Sequence, residues 1–318
     1  MKSFADRLIE VLGERDSPVA VGLDPQLKWL PQEIKDRAFS RHGKGLKGAS
    51  QAVLEFNQRI IDTISPYVGV VKLQIAFYEA LGPWGLDAYS KTIGYAQKRG
   101  LIVIGDIKRG DVEHTAEAYA QAHLGEMEID GSFVCPYSVD AVTLNPYLGG
   151  DSVAPFLKRA ERYGKGLFIL VKSTNPSSRD FQDLRCGGER LCERVARKVN
   201  QWGRALVGKH GYSAVGAVVG ANSPSLAKRL RLLMPRAFFL VPGYGAQGAG
   251  PEGLYPYFNK DGFGAIISSS RAIIFAYQNP PWRRRYGMRN WEAAVREALL
   301  RMRSEVAEVV GRIRRRGG

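Results

Sequence analysis

Eight short apolar runs, separated by amphipathic or polar stretches, constrain this chain more than any other feature. They are Val19–Leu23, Val68–Leu73, Leu101–Ile104, Ala141–Leu144, Leu167–Val171, Ala214–Val219, Ala237–Val241 and Ala265–Ile267. Most are continuously apolar rather than alternating, the pattern of strands buried on both faces. Helical periodicity fills the intervals: Val53, Phe56, Ile60 and Ile64 follow one another at spacings of 3, 4 and 4, which places them on one helix face. Eight strands with interposed helices predict an α/β fold, a single (β/α)8 TIM barrel, with an open doubly wound sheet as the alternative. A chain of 318 residues has room for two domains, but no Pro/Ser-rich linker divides the core. The barrel is assigned to residues 1–281 and a helical extension to 282–318. Gln32–Ser50, rich in Lys, Arg and Gly, reads as an exposed insertion or loop.

In such a barrel the reacting groups belong at the C-terminal ends of the strands. The first strand ends in Gly22-Leu23-Asp24-Pro25, the second in Lys72-Leu73-Gln74, and the third continues as Asp106-Ile107-Lys108-Arg109-Gly110-Asp111. A charge at a buried strand end is costly unless paired. Here two lysines and two aspartates can neutralise one another. Asp106 and Lys108 are two residues apart, so a strand turns both to the same side. Asp111 lies beyond the strand, on the loop leading to a helix around Thr115–Leu124. The stretch Gly243-x-Gly245-x-x-Gly248 fits a dinucleotide fingerprint. It sits at the seventh strand, however, and Pro251 interrupts the helix that should follow. The loops after strands seven and eight of a barrel are the usual phosphate site. Glycines there let backbone N–H groups approach an anion, and Arg271 adds a bidentate donor.

Asp106-x-Lys108-x-x-Asp111-Val112 resembles the signature of the orotidine 5′-phosphate decarboxylase family. Gly22-Leu23-Asp24-Pro25 and Lys72 are similar to its first- and second-strand motifs. Asp140–Gly149 and Ser173-Thr174-Asn175-Pro176 resemble its longer, bacterial branch (type 2), and Pro242–Gly248 with Ser270-Arg271 resembles its phosphate-binding segment. The resemblance spans about Gly22 to Arg271. It implies decarboxylation of orotidine 5′-monophosphate to uridine 5′-monophosphate, the last step of de novo pyrimidine nucleotide synthesis, without metal or cofactor. It further implies that Lys108 protonates C6, that Asp106 stands beside the departing carboxylate, and that Lys72 holds the aspartate array and the ribose. Asp24 takes a ribose hydroxyl. Ser173 and Thr174 are both candidates for reading the pyrimidine, and Pro242, Gln247 and Arg271 belong to the phosphate end. The resemblance also implies that Asp111 and Thr115 reach a neighbouring subunit's site, and hence a homodimer with shared active sites.

Two other readings compete. A magnesium-dependent sugar-phosphate decarboxylase or aldolase of the same superfamily shares Asp-x-Lys-x-x-Asp but needs an acidic residue near the second strand end, where this chain has Lys72 and, further on, Glu79. A nucleic-acid-binding role is suggested by the net charge of +15. Much of that charge lies from Trp282 onward, where eleven Arg face four Glu. In that segment Val295, Leu299, Met302, Val306, Val309 and Ile313 are spaced 4, 3, 4, 3 and 4. This reads as an amphipathic helix docked on the barrel, its arginines mainly on the solvated face, so a single nucleotide is favoured over nucleic acid as the partner. No apolar run approaches the ~20 residues needed to cross a bilayer. Asp6 and Glu10 interrupt any leader-like segment, and Cys135, Cys186 and Cys192 show no CxxC spacing, which together suggest the cytoplasm. His42, His114, His123 and His210 lack metal-ligand spacing, and His114 and His123 are expected at the surface. No GxxxxGK[ST], HExxH or GxSxG motif is present.

Overall fold

The computed structural model describes residues 2–245 and 250–317. Eight parallel strands close into a barrel in the order β1-β8-β7-β6-β5-β4-β3-β2. They are β1 (Val19–Leu23), β2 (Val70–Gln74), β3 (Ile102–Arg109), β4 (Ala141–Leu144), β5 (Gly166–Lys172), β6 (Ser213–Val219), β7 (Ala237–Pro242) and β8 (Ala265–Ser269). Each coincides with one of the eight apolar runs. The closed barrel, not the open sheet, is the fold.

Both faces of the strands are buried, which is why their sequences do not alternate. In β1, Val19, Val21 and Leu23 pack outward against the helices while Ala20 points into the barrel. The interior is filled by residues such as Val70, Ile104, Phe168, Phe238 and Leu240. Its N-terminal end is closed by the helix Phe4–Glu14, which lays Phe4, Leu8 and Leu12 over the strand starts. Ser3 caps this helix, its hydroxyl accepting from the Asp6 N–H. Phe4 meets Phe168 edge-on at 6.0 Å between ring centroids. Gly166 must lack a side chain here, because a Cβ would lie 2.2 Å from the Phe4 ring.

Gln32–Ser50 is not an exposed loop. It forms the helix Gln32–His42 and the start of a second helix, Leu46–Ile64. The first buries only Ile34 and Ala38, one turn apart, so its apolar stripe is nearly invisible among charged residues. The second turns Val53, Phe56, Ile60 and Ile64 to the core, as their spacing predicts. The C-terminal helix, Trp291–Gly317, docks on the barrel through Trp291, Val295, Leu299, Met302, Val306 and Val309. Trp291 stacks on Phe56 at 5.4 Å. Arg296, Arg301 and Arg312 stay exposed, as do Arg283–Arg285 of the short preceding helix. No helix among the described residues is long and apolar enough to cross a membrane.

His123 is a second correction, for it is buried rather than at the surface. It stacks on Tyr137 at 4.9 Å, on the inward side of the helix Glu113–Leu124 with Ala116 and Ala120. Burial, with the nearby Arg109 charge, holds its pKa down to about 3, so the ring is neutral.

Candidate active site

A cleft of about 600 Å³ opens at the C-terminal ends of the strands. Asp24, Lys72, Asp106 and Lys108 form one wall, from β1 to β3. Pro242, at the end of β7, and Arg271, just after β8, form the opposite one, with Ser173 and Thr174 between.

The Asp106 carboxylate organises the first wall. Its Oδ1 accepts from Lys108 Nζ at 2.5 Å and from the Thr143 hydroxyl at 2.8 Å. Its Oδ2 accepts from Lys72 Nζ at 3.0 Å and from Gln74 Nε2 at 3.1 Å. Lys72 also reaches Asp24 Oδ1 at 3.4 Å. Burial alone would raise the Asp106 carboxyl, but the Lys72 and Lys108 ammonium groups outweigh it and hold the group well below the carboxylate range. Burial would likewise lower Lys72, yet Asp106 and Asp24 keep it above an ordinary lysine. Both members of the pair are therefore charged, and each satisfies the other's desolvation.

The backbone here departs from a regular strand. The register of β3 against β4 shifts between Gly105 and Arg109, and Lys108 has φ +45°. A non-glycine residue in the left-handed region costs of order 1–3 kcal/mol and persists where its surroundings fix it. Thr143 does so: its hydroxyl accepts from the Lys108 N–H at 3.1 Å while donating to Asp106. One hydroxyl thus sets both the backbone and the carboxylate of the Asp-x-Lys pair. Thr143 and Gln74 are site residues that the strand-end argument passed over. The available signal was polarity in otherwise apolar strands, Ala-Val-Thr-Leu and Val-Val-Lys-Leu-Gln.

Ser173 and Thr174 differ in what they have to offer. The Ser173 hydroxyl donates to Asn175 Oδ1 at 2.7 Å and accepts from Gln182 Nε2 at 2.9 Å, so its donor is already used. Thr174 packs closely on the end of β6, where a Cβ on Gly220 would fall 2.5 Å from the Thr174 methyl. Asp111 and Thr115 do not line the cleft of their own chain; the Asp111 carboxylate accepts the Val112 N–H at 2.8 Å. Gln247 lies outside the described residues.

Residues 17–281 match the sequence profile of the "Orotidine 5'-phosphate decarboxylase / HUMPS family". The chain belongs to this family. An orotidine 5′-phosphate decarboxylase of Caldicellulosiruptor saccharolyticus is 42% identical over 88% of this chain and 92% of its own length. One of Rhodopirellula baltica is 39% identical over 96% of this chain and 99% of that one, a span that takes in part of the C-terminal helix. Among solved structures, the OMP decarboxylase of Leishmania donovani superposes with a TM-score of 0.73 at 30% identity, covering 97% of this chain and 99% of that one.

Within this family the second strand end separates the two chemistries weighed above. Lys72 places an ammonium 3.0 Å from Asp106, where a divalent cation would be repelled. Glu79 is paired instead with the Arg109 guanidinium and does not line the cleft. Among the described residues no group of three His, Cys, Asp or Glu side chains converges as a metal site. The residues of this wall fit charge-based chemistry and do not fit the magnesium-dependent alternative.

Proposed function

We propose that the cleft decarboxylates orotidine 5′-monophosphate to uridine 5′-monophosphate without a cofactor, and that the wall from β1 to β3 performs the chemistry. The observation that carries this reading is the Asp106 carboxylate clasped between two ammonium groups at the mouth of the barrel. Breaking the C6–carboxylate bond leaves an electron pair in the plane of the pyrimidine, where no π system takes it up. A cation fixed beside C6 stabilises that pair as it develops, and a pre-positioned cation needs no reorganisation at that moment. Lys108 supplies this charge. As carbon dioxide leaves, the pair on C6 takes a proton from Lys108 Nζ, which solvent then replaces. Asp106 orients the ammonium and stands beside the departing carboxylate. Lys72, held by Asp24 and Asp106, anchors the array and meets the ribose, with Asp24 taking a ribose hydroxyl. Thr174 reads the base, since the Ser173 donor is committed to Asn175.

Pro242, Gln247 and Arg271 belong to the phosphate end. That group does not react, but its binding energy can be spent on orienting the ring. Asp111 and Thr115 complete the site of a second copy in a homodimer. Exposed apolar side chains near them support such an interface. Val112 follows Asp111 directly, and Phe133 stands on a small antiparallel hairpin, Met127–Ile129 and Ser132–Val134, that follows the helix Glu113–Leu124. Tyr147 and Leu148 lie on the adjoining loop, which the Asn145 N–H ties to the Arg109 carbonyl.

The test is the loss of orotidylate absorbance on adding purified protein with EDTA present. Turnover is expected; an unchanged spectrum overturns the reading, and turnover that EDTA abolishes restores the metal-dependent one. For the shared site, Lys108→Ala and Asp111→Asn proteins are mixed, each nearly inactive alone. Heterodimers then hold one site with both native residues, and activity returns; no recovery after confirmed subunit exchange contradicts the shared arrangement.

A further inference from the structure

The C-terminal helix has no part in the mechanism above, yet one of its side chains reaches the wall of the cleft. Tyr244, just after β7, is buried, and its hydroxyl donates to Glu305 Oε2 at 2.7 Å. Arg301 Nε donates to the other oxygen, Glu305 Oε1, at 3.0 Å. Tyr244, Ser269 and Ala272 line the substrate cleft on one side. On the other they line a second cavity of about 260 Å³, closed by Trp282, Met302 and Glu305. The tyrosine ring is thus a partition between the phosphate end of the cleft and the C-terminal helix.

We propose that this helix belongs to the phosphate-binding apparatus, with Glu305 a positioning residue that acts through Tyr244 on the start of the loop after β7. The inference rests on the assignment of that loop to the 5′-phosphate. Gly243 and Gly245 flank Tyr244 with φ of +94° and +77°, so the backbone here has little steric restraint of its own. The Tyr244 side chain supplies the restraint, and its far end is held by a carboxylate. Burial, the hydrogen bond to Glu305 and its charge all push the phenol well above its ordinary pKa, so it stays a donor even in mildly alkaline solution. Glu305 is not needed to seat the helix, because Leu299, Met302 and Val306 already do so from the buried side. A half-buried acid with its partner on the loop therefore acts on the loop. Backbone N–H groups that grip an anion must be held in place before it arrives, and a fixed loop base provides that preorganisation.

The experiment compares kcat/KM for orotidine 5′-monophosphate with kcat/KM for orotidine, the same nucleoside without its phosphate. Tyr244→Phe and Glu305→Leu are each expected to lower the value for the phosphorylated substrate about tenfold, the scale of one hydrogen bond to a charged group. The value for orotidine should stay within roughly twofold, since the lost bond concerns only phosphate recognition. Glu305→Gln, whose amide oxygen still accepts from the phenol, should retain most of the native value. The double variant should be no worse than either single one. If Glu305→Leu does not fold, Tyr244→Phe, which removes a single oxygen, carries the test. Equal losses on both substrates, or no loss on either, overturn the proposal. If the unsubstituted protein turns over neither compound, the decarboxylase assignment fails first and this inference with it.

Discussion

At the N-terminal end of the barrel, Phe4, Leu8 and Leu12 lie over the strand starts and seal the interior with apolar contacts. At the C-terminal end, the same strands stop in Asp24, Lys72, Asp106 and Lys108, charges held in a cleft by one another. The difference teaches how a barrel divides its labour. One end gains its stability chiefly from apolar burial, its buried Asp6 satisfied by the Lys209 and His210 N–H groups, while the other buries Lys72 and Asp106 beside Asp24 and Lys108. The left-handed Lys108 sits at the charged end, pinned by Thr143.

Substitutions at the two ends should therefore separate activity from stability. Asp106→Asn is expected to lower kcat by about 10³-fold or more, the scale of removing a preorganised electrostatic group. It should also lower the melting temperature, because the buried Lys72 ammonium loses its nearest carboxylate. Phe4→Ala should cost about 3–5 kcal/mol of stability by opening a cavity beneath the strands. Where this variant remains folded, its kcat should stay close to native. Denaturant unfolding and initial rates measured on the same preparations decide the matter. Loss of turnover in a folded Phe4→Ala protein would break the division between the ends.

A smaller effect comes from His123, between the barrel and its helix layer. Its folded pKa of about 3 lies below the ordinary 6.5, so the unfolded chain binds the proton and the folded chain does not. The stability this neutral ring allows is complete above pH 6.5 and is lost as pH falls toward 3, at up to about 1.4 kcal/mol per pH unit. His123→Phe should flatten the fall in melting temperature between pH 7 and pH 5, before the carboxylates titrate. An unchanged slope would place the pH sensitivity elsewhere in the molecule.

Much of this architecture was legible in the sequence, and what was hidden has physical reasons. Strands buried on both faces announce themselves as continuous apolar runs, and all eight were visible. Asp106, Lys108, Lys72 and Asp24 stood out because charges at the ends of such runs need partners. The apolar run marked only Leu101–Ile104 of β3; how its polar remainder pairs with β4, through a register shift and the Thr143 hydroxyl, had no local signal. The helix Gln32–His42 was masked by a stripe of only two apolar residues. His123 was misplaced because one polar letter on an inward face looks like the outward ones until the alanines beside it are counted. The role of the N-terminal helix depends on which opening it covers, a tertiary fact with no local signal. Tyr244 and Glu305 are 61 residues apart, and nothing in either segment names the other.

The most direct measurement follows orotidine 5′-monophosphate absorbance in EDTA with the native protein and with Lys108→Ala, alongside the affinity of each for uridine 5′-monophosphate. The native protein should consume the substrate. Lys108→Ala should be slower by about 10³-fold or more while binding the product with little change. A Lys108→Ala protein that decarboxylates at the native rate would contradict the placement of the chemistry at the Asp106–Lys108 pair.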